Sequence, residues 1–139
     1  MVMRFKFFML LITVLLLTSC GGSDDSSSDE IIAEVPSIIV DKTSISFDDT
    51  MVSKSSSTSS ILVESKYVNS TVEISVTDGF EISSDNLNFG NSLTIKANQS
   101  KTIHVRFSPS KIQTYSGTID IKNAEANDVK LVYLEMGCN

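Results

Sequence analysis

The sequence is poor in the residues on which most active sites depend. Its 139 residues include one histidine, two cysteines, six glycines and no tryptophan. A metal site needs several converging ligands, whereas the lone His104 falls on the outward face of a predicted strand. No Gly-x-Ser-x-Gly turn and no glycine-rich phosphate loop is present. These absences argue against an enzyme and predict neither a metal nor another cofactor.

Acidic and aromatic side chains do not form a recognisable ligand pattern either. Asp48, Asp49 and Asp85 lie in predicted loops, but no Asp-x-Asp-x-Asp ladder for calcium accompanies them. The tyrosines are scattered at positions 67, 115 and 133. A carbohydrate-binding domain would need an exposed aromatic platform or clustered carboxylates, and the sequence supports neither.

Basic residues are fewer than acidic ones. Eleven Lys and Arg stand against seventeen Asp and Glu, which gives a formal net charge of −6. A chain of this charge is repelled by phosphate backbones, so nucleic-acid binding is disfavoured.

The first nineteen residues have the pattern of a bacterial signal peptide. Arg4 and Lys6 precede the apolar run "FFMLLITVLLL", which is too short for a permanent membrane helix. Leu17, Thr18, Ser19 and Cys20 then resemble the lipobox of bacterial lipoproteins. That resemblance implies cleavage before Cys20 and a diacylglyceryl group on its sulfur, and two or more acyl chains make a stable membrane anchor.

Residues 20–35 are predicted to be a flexible acidic tether. The run "GGSDDSSSDE" has no large apolar residue, so it cannot join a core. The root-mean-square reach of such a segment is roughly 20 Å. Its "SDD" resembles the acidic export signal of Bacteroidetes-type surface lipoproteins, which implies display on the outer face of the outer membrane. An orientation toward the periplasm is the alternative.

Residues 36–139 have the pattern of a β-sandwich. Apolar and polar residues alternate in short runs, as in "STVEISV" and "TIHVRF", where Ile103, Val105 and Phe107 point inward. Asp78-Gly79 suits a tight hairpin, and Pro109 should end a strand. No stretch after Glu30 sustains a helical period. We expect an all-β fold: one Ig-like antiparallel sandwich of about seven to nine strands.

One segment carries a family resemblance. "VRFSPSKIQTYSGTIDI", Val105 to Ile121, resembles bacterial Ig-like domains of the choice-of-anchor and Hydin-related type. In physical terms, Phe107 would fill the sandwich centre and Tyr115 would pack its ring inward while its hydroxyl reaches a backbone partner. Gly117 would remove a side chain where strands approach closely. The family gives these positions structural roles and no catalytic one.

Two further residues carry predictions about covalent chemistry. If Cys20 is lipidated, Cys138 has no intramolecular partner, and no disulfide framework supports the fold. We expect a free thiol there, with an intermolecular disulfide as the alternative. Asp49-Thr50-Met51 resembles the sites at which Bacteroidetes glycosylate exported proteins, so Thr50 is a candidate for O-glycosylation.

The sequence therefore predicts a non-catalytic lipoprotein, held at the membrane by its lipid, with an Ig-like module for binding or adhesion at the cell surface. Loops and exposed strand edges would make the contact. The partner, protein or glycan, is not identified by the sequence. A structural accessory subunit of a larger envelope complex, facing the periplasm, is the alternative.

Overall fold

The computed structural model describes residues 33–136, which form nine β-strands and no helix. The strands are β1 (Ser37–Val40), β2 (Ser44–Phe47), β3 (Ser59–Lys66), β4 (Val72–Val76), β5 (Phe80–Ser83), β6 (Ser92–Ile95), β7 (Ser100–Phe107), β8 (Ser116–Lys122) and β9 (Lys130–Met136). Across this part of the chain, no helix could therefore span a membrane. The expected all-β fold is confirmed.

The strands form two sheets that face each other across one core. The four-stranded sheet has the order β1-β3-β7-β5, and the five-stranded sheet has the order β2-β9-β8-β4-β6. The sandwich is antiparallel, as expected, except at one pair, where β2 runs parallel to β9. After Val40 the chain crosses from one sheet to the other without reversing. The Asp41 amide donates to the Leu62 carbonyl (3.2 Å) where β1 ends, and the Tyr133 amide donates to the Thr43 carbonyl (2.9 Å) where β2 begins.

The predicted hairpin at Asp78-Gly79 is wrong. This turn joins β4 of the five-stranded sheet to β5 of the four-stranded sheet, so the strands on either side of it do not pair. The turn itself is present: the Phe80 amide donates to the Thr77 carbonyl at 3.2 Å, and Gly79 has a φ of 94°. The residue types indicated a turn, but they did not indicate which strands it would separate.

The core is built from the alternating residues of both sheets. Ile103, Val105 and Phe107 of β7 are fully buried, as predicted. Four aromatic rings cross the core in a row: Phe47 to Phe80 at 5.8 Å between centroids, Phe80 to Phe107 at 5.1 Å, and Phe107 to Tyr115 at 5.1 Å. Such tilted and edge-on pairs stabilise beyond their buried area.

The two ends of the sandwich carry different loops. The chain enters β1 at Ser37, which pairs with Lys66 at the end of β3. We call this the tether end; it also carries the segments 67–71 and 96–99. The opposite end, which we call the far end, carries the segments 48–58, 77–79 and 108–115. Each end holds a cleft.

Candidate functional site

The far end holds an apolar cleft of about 330 Å³ between the segments 50–52 and 109–115. Two of its lining side chains project into solvent: Ile112 is 96% exposed and Met51 is 76% exposed. Val52 beside them is 37% exposed. Exposed apolar side chains that cluster, rather than stand singly, mark interaction sites. This cleft is the candidate site.

The loop that carries Ile112 is held by Tyr115. The Tyr115 hydroxyl accepts a hydrogen bond from the Lys111 amide (3.1 Å) and donates one to the Lys111 carbonyl (3.2 Å). Its ring packs edge-on against Phe107 and is 7% exposed. The predicted role of Tyr115, with its ring inside and its hydroxyl on the backbone, is confirmed. The loop thus presents Ile112 from a fixed base.

The segment that carries Met51 is fastened to the same loop and strand. The Ser53 amide donates to the Pro109 carbonyl (3.0 Å), and the Ser56 amide donates to the Phe107 carbonyl (2.8 Å). The Phe107 amide donates in turn to the Ser56 hydroxyl (2.9 Å). Both walls of the cleft are therefore preorganised, which lowers the entropic cost of binding.

The tether end holds a second, polar cleft of about 590 Å³. Its walls carry two acids, a lysine, several amides and one aromatic ring, contributed by Glu34, Glu64, Lys66, Tyr67, Asn98 and Gln99. The Lys66 ammonium lies 3.4 Å from the Glu64 carboxylate. Tyr67 is 48% exposed and has a φ of 57°.

The acidic residues singled out in the sequence do not assemble a metal site. The Asp85 carboxylate accepts hydrogen bonds from the Asn88 and Leu87 amides, the Asn88 side chain and the Ser83 hydroxyl. These bonds, those from Asn88 above all, hold the pKa of Asp85 well below its usual range. All of these partners lie within residues 83–88, so the Asp85 carboxylate stabilises its own turn. No group of three potential ligands occurs in residues 33–136.

His104 lies on β7, half-buried, opposite Ser60 and Ser83 on the neighbouring strands. It faces away from the core, as expected, and forms no cluster with other potential ligands in the described chain.

The predicted lipidation site and the predicted free thiol fall beyond residues 33–136, whereas Thr50 falls within them. Leu17, Thr18, Ser19, Cys20 and Cys138 lie outside the described residues. Thr50 is half-buried on the wall of the far-end cleft, and its hydroxyl donates to the Asp48 carbonyl at 3.1 Å. Its glycosylation stays a prediction, which the intact mass of the protein purified from its native host would decide.

The exposed position of Ile112 was missed at the level of sequence, although a signal was present. Ile112 stands in "SPSKIQTYSG", between a strand-ending proline and the next strand, where an apolar residue has no core to enter. Met51 likewise follows Asp48-Asp49-Thr50 in a loop. A large apolar residue inside a turn-rich segment indicates a contact surface.

Fold and site together define an Ig-like β-sandwich module whose loops present a preorganised apolar surface. The family model for Cep192 domain 4 matches residues 35–134, and the chain belongs to that family. A search of curated proteins found no match.

Three solved structures show what the chain is similar to. The ASH/PapD-like domain 7 of human CEP192 has a TM-score of 0.43 and 11% identity, over 73% of this chain and 84% of that one. WR4, a member of the MSP family from C. elegans, has a TM-score of 0.42 and 12% identity, over 72% and 97%. A family 123 glycoside hydrolase from Clostridium perfringens has a TM-score of 0.44 and 9% identity over 73% of this chain, which spans 27% of the hydrolase. The family assignment rests on the family model, because none of these TM-scores reaches 0.5.

Proposed function

We propose that this protein is a non-catalytic cell-envelope lipoprotein whose Ig-like module binds a protein partner at its far end. The lipobox at residues 17–20 supports an anchor in the outer membrane, and the acidic tether supports display at the cell surface. The segment from Val105 to Ile121 supports a relation to choice-of-anchor and Hydin-related domains at the level of sequence pattern.

The observation that carries the binding role is the fixed exposure of Met51 and Ile112 around the far-end cleft. Lys111 lines the same cleft, and the exposed Asp48 and Asp49 precede Met51 in the chain, so charges of both signs accompany these apolar tips. An apolar centre with a mixed polar rim is typical of protein–protein interfaces. A cleft of about 330 Å³ accommodates apolar side chains of a protein partner.

The position of the cleft suits this role. The chain enters the sandwich at Ser37, at the tether end, and the cleft lies at the opposite end. A tether from a lipidated Cys20 would therefore join the domain at the end opposite the cleft. Strand edges, the other contact surface expected from the sequence, are four residues long at β1, β2, β5 and β6. A strand from a partner protein could therefore pair with only a short edge.

The binding role predicts where the protein crosslinks to its partner in living cells. A photo-crosslinking amino acid at position 112 should capture a partner, and Met51→Ser should reduce the yield by about tenfold, the ratio equivalent to 1.4 kcal/mol. Position 87 is the matched control, because Leu87 is 82% exposed on a loop outside the cleft. Equal yields at both positions, or a yield indifferent to Met51→Ser, would contradict the proposal.

The anchor and its orientation predict the outcome of protease shaving. The wild-type protein should be cleaved on intact cells, and Cys20→Ala should no longer fractionate with membranes, because it loses its acyl chains. A variant with Asp24→Ala and Asp25→Ala should stay membrane-bound but become protected. Wild-type protection until the outer membrane is opened would instead support the alternative, a periplasm-facing accessory subunit of an envelope complex. The far-end cleft would then serve assembly.

A further inference from the structure

Tyr67 occupies a backbone position that a tyrosine does not favour. Its φ of 57° lies in the left-handed region, where glycine and asparagine are tolerated and a bulky side chain is a genuine outlier. The residue is 48% exposed, so a large part of its side chain remains available to a ligand. Strained residues of this kind cluster at binding sites.

The surrounding structure determines this conformation. Lys66, before Tyr67, pairs with Ser37 as the last residue of β3. Val68, after it, is fully buried, and both of its backbone groups bond to the Asn98 side-chain amide, at 3.0 Å and 2.8 Å. The backbone at position 67 is therefore fixed from both sides. Glycine would satisfy it with less backbone strain, and a strained bulky residue retained beside a cleft is typical of a binding site.

The ring stands beside groups that recognise hydroxyls. The cleft of about 590 Å³ is within the size range of small-ligand sites. Its walls offer carboxylate acceptors on Glu34 and Glu64, an ammonium donor on Lys66, and the Gln99 amide, which both donates and accepts. A sugar ring presents an apolar C–H face for stacking on an aromatic ring and hydroxyls that donate and accept around its edge.

We propose that the tether-end cleft binds a neutral oligosaccharide, with one sugar ring stacked on Tyr67 and its hydroxyls bonded to Glu64, Lys66 and Gln99. The two carboxylates against one ammonium on the wall would repel an anionic saccharide. This site is separate from the far-end cleft, so the protein has two binding surfaces. The scattered tyrosines of the sequence argued against carbohydrate binding, but one ring among convergent polar groups makes a small sugar site without a platform.

The test is saturation-transfer NMR and calorimetry on the full chain, purified in a detergent without a sugar headgroup. The probes are chitotetraose, whose N-acetylated units resemble envelope polymers, and cellotetraose and mannotetraose, which represent external glycans. At least one probe should bind. Tyr67→Gly should weaken its affinity by about tenfold or more, whereas Tyr67→Phe should retain it within about threefold.

The controls separate loss of binding from loss of folding. Tyr67→Gly relieves the left-handed strain while it removes part of the buried surface, so its thermal midpoint should stay close to that of the wild type while its affinity falls. Tyr133→Ala, which removes a 54% exposed tyrosine outside the cleft, should bind like the wild type. Ile112→Ser should also bind normally, since it affects only the far end. Binding of none of the three probes, or equal affinity of wild type and Tyr67→Gly, would overturn the proposal.

Discussion

Replacing Phe107 by alanine is expected to lower the free energy of unfolding by about 3–5 kcal/mol. The Phe107 ring is fully buried and lies 5.1 Å from both the Phe80 and the Tyr115 rings. Its removal would leave a cavity between the sheets and separate two aromatic contacts at once. A domain of this size is typically stable by only about 5–15 kcal/mol, so the variant would be close to unfolding.

Urea unfolding followed by circular dichroism measures this loss. The midpoint should fall while the slope stays constant, because the surface exposed on unfolding hardly changes. Phe89→Ala is the matched control: Phe89 is half-buried, and the Arg106 guanidinium lies 4.0 Å from the centre of its ring. That variant should lose about 1–2 kcal/mol, from the cation–π contact and the partly buried ring together. A similar loss in both variants would mean that the aromatic row is not the centre of the core.

The parts of the fold that could be predicted are those that depend on local sequence. Val72, Ile74 and Val76 line the inner side of β4, two fully buried and one partly, because side chains alternate along a strand. Tyr115 was also placed correctly, since its hydroxyl bonds to Lys111 of the same turn. Gly117 was placed correctly from its lack of a side chain, although its neighbour Thr77 is distant in the sequence. At Gly117 a Cβ would lie 2.6 Å from the Thr77 side chain, so the close approach expected there is present.

Strand pairing could not be predicted, because it depends on residues far apart in the chain. β4 pairs with β6 and β8, whereas β5 pairs with β7. The turn at Asp78-Gly79 therefore passes between the sheets and does not close a hairpin. The parallel pair of β2 and β9 joins segments about ninety residues apart, and nothing in "SISF" distinguishes a parallel from an antiparallel neighbour.

The candidate sites are formed by residues that the fold brings together from separate segments, and their residue types alone do not reveal them. The sequence shows that Ile112 is in a loop, but only the fold shows that Met51 lies across a cleft from it. The sequence shows a tyrosine at 67, but its left-handed conformation follows from the burial of Val68 and its bonds to Asn98, thirty residues away. Sites built from separate loops carry no local pattern for sequence analysis to recognise.

The second large effect is expected at Gly79, where alanine should cost about 2–5 kcal/mol of stability. The φ of 94° is one that a residue with a Cβ adopts at a cost of about 1–2 kcal/mol. The added Cβ would also lie 2.5 Å from the Tyr115 ring. That ring cannot simply retreat, because its hydroxyl is bonded to Lys111 and the ring packs edge-on against Phe107. Overpacking of this kind costs about 1–3 kcal/mol more.

Gly90→Ala is the control for Gly79→Ala, since a Cβ at Gly90 would meet nothing within 4 Å and the residue has no left-handed φ. It should be neutral or stabilise by up to about 1 kcal/mol, by restricting the unfolded chain. Equal losses at both glycines would show that the Tyr115 ring is not a fixed neighbour. The same displacement has a consequence at the candidate site: if the ring moves, the loop that presents Ile112 loses its base. Gly79→Ala should therefore also reduce crosslinking from position 112 under conditions where the variant remains folded.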